Sequence, residues 1–137
     1  MEINDILFVL LIFLNTIFDL CSKKTSVCIE KENRAFAIIV FHHIFCVFLY
    51  FGWLLDNKYV LLAYLGTVFV TVSLWIYLGT CVITKKTNEI CEWDNSVKFN
   101  DIINVLNQKM QPASVKMHLP ILLIGAFVGI WKIIGKF

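Results

Sequence analysis

Two adjacent histidines, His42 and His43, stand inside a run of twenty-one residues, 35–55, that carries no formal charge. Imidazole titrates near neutrality and is a common metal ligand, and a polar group in so apolar a run is costly unless it faces protein or water. Other polar groups recur at a similar depth in neighbouring apolar runs. At ~1.5 Å per residue, Asn15, His42 and Tyr77 each lie roughly 10 Å inside their run. Asn15 and Asp19 share one helical face as an i, i+4 pair, as do His42 and Cys46, whereas His43 points about 100° away from His42. This pattern predicts a buried polar cluster of His42 with Asn15, Asp19, Tyr77 and Cys81. Its first reading is structural: interhelical hydrogen bonds of this kind contribute ~0.6 kcal/mol each and fix helix packing. A ligand, proton or metal site at His42 is the alternative.

Other chemistry finds less support. Consecutive histidines on a helix diverge, and the only further histidine, His118, falls at the edge of an apolar run, so no metal set is predicted and haem or metal at His42 stands as an alternative only. Cys21, Cys28, Cys46, Cys81 and Cys91 are odd in number and lack C-x-x-C or zinc spacing, which points to neither a disulfide framework nor a zinc site. Glu89 and Glu92 stand among lysines, and phosphate-binding glycine loops and Ser/His/Asp sets are absent from the sequence. No catalytic residue is predicted. The net charge of +2 is too small to argue for a nucleic-acid partner.

The elements that would hold these residues are membrane spans. Of the 137 residues, 59% are hydrophobic, and the mean hydropathy is +0.78. A soluble fold of about 150 residues leaves roughly a third of its chain surface in water, so lipid must solvate much of this chain. The expected fold is all-α: one membrane domain over 1–137, with four transmembrane helices at about 4–20, 35–55, 59–82 and 119–134. Strands are not expected, because an open sheet edge cannot face lipid. The first run follows the acidic start Met1-Glu2-Ile3-Asn4-Asp5 rather than a basic one, so it is read as a retained helix and not a signal peptide. In the loop 83–118, Phe99, Ile102, Ile103, Leu106 and Met110 recur with helical period, predicting a short amphipathic interfacial helix before the last span. Gly125 and Gly129 form a G-x-x-x-G, expected to pack against a neighbouring span of the same chain.

Orientation follows from the lysines. Nine of the twelve basic residues fall in segments 21–34 and 83–118, against Lys58, Lys132 and Lys136 on the other side. This count predicts both long loops in the cytoplasm and both termini on the non-cytoplasmic side. Cysteines in those loops would then be reduced; only the inverted orientation would allow a Cys28–Cys91 bridge.

Part of the second and third spans resembles a family of small membrane proteins catalogued as domain of unknown function 2784. That family's helix carries H-x-x-F-x-x-F-x-x-x-G, matched here by His42, Phe45, Phe48 and Gly52. Its later Gly and C-P-L-T followed by an acidic residue are echoed by Gly79, Cys81, Thr84 and Glu89, with Val82 in place of the proline. The resemblance covers residues 35–89 and implies a compact helical bundle with its motif at one membrane face. It implies no activity.

The function expected from these features is that of a multi-pass membrane protein with a structural, assembly or partner-binding role. Its expected partners are the lipid bilayer and a second copy or another membrane protein. A membrane redox, haem or quinone protein using His42 is one alternative, and a small oligomeric channel is another.

Overall fold

The computed structural model describes residues 2–79, 81–94 and 115–136. Every regular element among them is helical: α1 (Ile3–Leu20), α2 (Lys23–Lys31), α3 (Asn33–Phe51, continued by a 3-10 turn at Gly52–Leu54), α4 (Lys58–Leu78), α5 (Val82–Ile90) and α6 (Val115–Lys136). α1, α3 with its 3-10 turn, α4 and α6 are long and apolar enough to cross a membrane. Their 18 to 22 residues correspond to about 27–33 Å of helix, which matches a hydrocarbon core. The chain is thus an all-helical bundle of the multi-pass membrane type.

Local chemistry sets the ends. The backbone N–H of Glu2 donates to the Asp5 carboxylate at 3.0 Å and opens α1, as in a capping box. Asn57 caps α4 by accepting from the N–H groups of Tyr59 and Val60, which satisfies donors that have no intrahelical partner. α4 stops at Gly79, whose φ of 69° lies in the left-handed region and whose N–H returns to the Trp75 carbonyl. Glycine takes that conformation without the Cβ penalty. The third span therefore ends four residues before the expected boundary at 82, and α5 begins there instead. The last span is longer than the expected 119–134, with Pro120 inside it.

Two helices were absent from the sequence reading. α2 occupies the segment between the first two spans, and α5 follows the third. Both pack on the first turns of α3, where Cys28, Ala35 and Ile39 form a small core with Leu20, Ile29, Ile90 and Trp93. A disulfide joins Cys28 to Cys91 across this core, contrary to the expectation that the cysteines form no framework. Placement by packing, not motif spacing, brings the two together. The expected amphipathic helix around residues 99–110 lies outside the described residues.

The opposite end is closed by charge. Asp56, before α4, accepts from Lys132 at 3.0 Å, Lys136 at 2.8 Å and the Asn4 amide at 3.0 Å. This clasp gathers the start of α1, the α3–α4 turn and the end of α6, so both terminal helices end on one side of the bundle. Between the two ends lies the main core of Leu49, Tyr50, Tyr64, Val68 and Leu122, contributed by α3, α4 and α6. Gly52 and Gly125 admit the Tyr64 ring to this core: a Cβ on Gly52 would stand 2.6 Å from Tyr64 Cδ2, and one on Gly125 would overlap Tyr64 Oη. The G-x-x-x-G thus packs within the chain, as its spacing predicts.

Candidate functional site

The adjacent histidines of α3 enter two separate polar networks, because one residue step rotates a side chain by about 100°. His43 turns towards α1. Its Nδ1 lies 3.0 Å from the Asn15 amide nitrogen, and its Nε2 lies 3.0 Å from Asp19 Oδ2. An amide nitrogen only donates, so in this arrangement Nδ1 is the acceptor and the ring proton sits on Nε2, where it is donated to the carboxylate. His43 is thereby held between the Asn15 amide and the Asp19 carboxylate.

The network continues outwards into α2. The Thr25 hydroxyl donates to Asp19 Oδ1 at 3.2 Å and accepts from the Ser22 hydroxyl at 2.8 Å. Asp19, Thr25 and His43 are all fully buried. Lys24, half-buried on α2, feels the Asp19 charge, which raises its pKa, while burial has the larger effect and holds the amine below its ordinary value. Its ammonium also stands 5.1 Å above the Trp93 ring, a distance suited to cation–π attraction. A buried carboxylate thus has two side-chain hydrogen bonds and a nearby cation, the conditions under which such a group is tolerated.

His42 turns the other way. Its Nε2 is 3.3 Å from Cys46 Sγ, one turn further along α3. The next turn carries Tyr50, whose hydroxyl is hydrogen-bonded to His118 Nδ1 of α6 at 2.7 Å. His118 also meets the Trp75 ring edge-on, with centroids 6.0 Å apart. α3 therefore bears an Asn15–His43–Asp19 network on the side of α1, while His42–Cys46 lies along another face and Tyr50 reaches His118 of α6.

The structure assembles the sequence-predicted cluster only in part. Asn15 and Asp19 are paired, as their spacing predicts, but with His43 rather than His42. Tyr77 is 86% exposed at the end of α4, so it does not reach the buried network. Cys81 is the N-cap of α5 and is only partly buried; among the described residues no hydrogen bond joins it to a histidine. Sequence reasoning missed Thr25 and Ser22, since it read their segment as a loop. It also left His118 at the interface, without its partner Tyr50. Among the described residues, no group of three His, Cys, Asp or Glu side chains gathers as a metal site.

Comparison with protein-family models, with curated proteins and with solved structures finds no match. The family resemblance around His42 accordingly stands on its motif residues. Of these, Phe48 meets Tyr64 edge-on at a centroid distance of 5.9 Å, and Gly52 lies against the same ring. In this fold, two of the motif positions serve helix packing.

Proposed function

We propose that the chain is a non-catalytic, multi-pass membrane protein with a structural or assembly role. Its polar residues inside the spans hold the bundle together, and the end capped by α2 and α5 is presented to a partner at the membrane surface. The observation that carries this reading is the closure of the His43 network. Both ring nitrogens are engaged, one by Asn15 and one by Asp19, so this histidine works as an internal tie between α1 and α3. A nitrogen that accepts a hydrogen bond from an amide has no lone pair left for iron or a metal ion.

The alternative of a haem protein using His42 makes a different spectroscopic demand. The test is the visible spectrum of the full-length protein purified in lipid, together with thermal unfolding of a His43→Gln variant. A structural tie gives a featureless visible region, and glutamine recovers part of the stability that alanine loses. A Soret band that disappears in His42→Ala would replace this proposal with the haem reading.

The orientation of the bundle belongs to the same proposal, and two arguments about it conflict. The nine-to-three distribution of basic residues favours the capped end in the cytoplasm. The Cys28–Cys91 disulfide at that end favours an oxidising compartment.

A further inference from the structure

We infer that the end of the bundle bearing Cys28–Cys91 faces an oxidising compartment, with both termini in the cytoplasm, so that the chain is inserted against its own lysine bias. This rests on the multi-pass reading and adds the compartment to it.

Cys28 lies on the buried face of α2 and Cys91 is the C-cap of α5; their Cα atoms are 5.3 Å apart, well within the span of a disulfide. The bond joins positions 63 residues apart in sequence. It links two short helices that each also pack on α3. Ala35 and Ile39 of α3 lie beneath it, with Ile90 and Trp93 alongside, so the core itself sets the two sulfurs face to face. A cytosolic thiol pool would keep such a pair reduced.

Closing the bond removes two protons and two electrons from the two thiols. The donor is an oxidised disulfide of the thiol-oxidoreductase class. The thiolate of Cys91, the less buried of the pair, attacks it to form a mixed disulfide. Cys28 thiolate then displaces the donor, which leaves as a dithiol.

The opposing lysine count is a frequency bias in membrane insertion, whereas a persistent disulfide is a chemical requirement on the compartment. The bond therefore decides. Several of the basic groups concerned are also engaged at the capped end: Lys86 with Glu89 at 3.1 Å, Arg34 with Glu32 at 3.5 Å, and Lys24 over Trp93.

The experiment uses the full chain in intact cells. In a Lys58→Cys variant with Cys21→Ser, Cys46→Ala and Cys81→Ser, thiols are tagged with a membrane-impermeant maleimide before and after an impermeant phosphine reductant. The expected result is no tag before reduction, two tags after it, and a third only after permeabilisation. Reaction at residue 58 in intact cells, with 28 and 91 protected until permeabilisation, overturns the orientation. Reaction of all three in intact cells overturns the four-span reading itself, so the two failures are distinguishable. The natural chain gives an independent readout of the bond. Denatured without reductant it should take three tags, on Cys21, Cys46 and Cys81, rising to five after reduction; five tags before reduction overturn the inference.

Discussion

At the scale of single residues, the two histidines separate by what their loss would strand. His43→Ala would leave the Asn15 amide and the Asp19 carboxylate, both buried, each without one partner. An unsatisfied buried polar group typically costs about 1–3 kcal/mol, and more when charged. His42→Ala would remove the contact with Cys46 Sγ at 3.3 Å, and a thiol is only a weak hydrogen-bonding group. Thermal unfolding in detergent should therefore show a larger loss for His43→Ala than for His42→Ala; the reverse order would remove the His43 network from its central place. The sequence pattern points to His42, and the reason it misleads is physical. α3 is apolar on almost every face, so no polar stripe shows how the helix is rotated in the bundle. The i, i+4 pairing of Asn15 with Asp19 was legible from periodicity alone. Which histidine meets that pair depends on the packing of α1 against α3, which no local spacing encodes.

At the scale of elements, α6 tests how closely two helices approach. A methyl group on Gly125 would overlap Tyr64 Oη and stand 2.8 Å from Trp53 Cδ1, whereas one on Gly129 would find ordinary contacts at 3.5–3.6 Å. Overpacking a filled core costs about 1–3 kcal/mol. Gly125→Ala should thus lower the melting temperature while Gly129→Ala leaves it nearly unchanged. Among the described residues the buried Tyr64 Oη has no hydrogen-bond partner, so Tyr64→Phe alone should be neutral or stabilising. Combined with Gly125→Ala, it should return part of the loss by removing the atom in conflict. Additive losses in the double variant would show that the clash lies elsewhere. The G-x-x-x-G and the long apolar runs were legible because lipid imposes continuous hydrophobicity on a span. α2 and α5 were not, because their buried faces are largely polar or small: Thr25 with Cys28, and Thr87 with Asn88. Both are also only nine residues long and mostly polar, too short for an apolar period to stand out as a helix signal.

At the scale of the whole molecule, the bundle is fastened at its two ends by different chemistry, a disulfide at one and a charge clasp at the other. Asp56 is the hub of the second. The ammonium groups of Lys136 and then Lys132 hold its carboxyl well below the usual range, burial opposes them, and the Asn4 amide adds a further hydrogen bond. A carboxylate whose pKa is depressed on folding stabilises the fold above its unfolded pKa, about 3.9, and loses that contribution as pH falls towards the folded value. The clasp should accordingly be at full strength at neutral pH and weaken only below about pH 4. Asp56→Asn keeps the shape but removes the charge that both lysines share. The variant should melt below the natural protein at pH 7, and the gap should narrow steadily as both are acidified below pH ~4. Melting curves of the two proteins, recorded in one detergent across that range, give the difference directly. A gap that persists at the acid end would mean that Asp56 acts through shape and not charge. In that case the start of α1, the α3–α4 turn and the end of α6 would be held by helix packing alone.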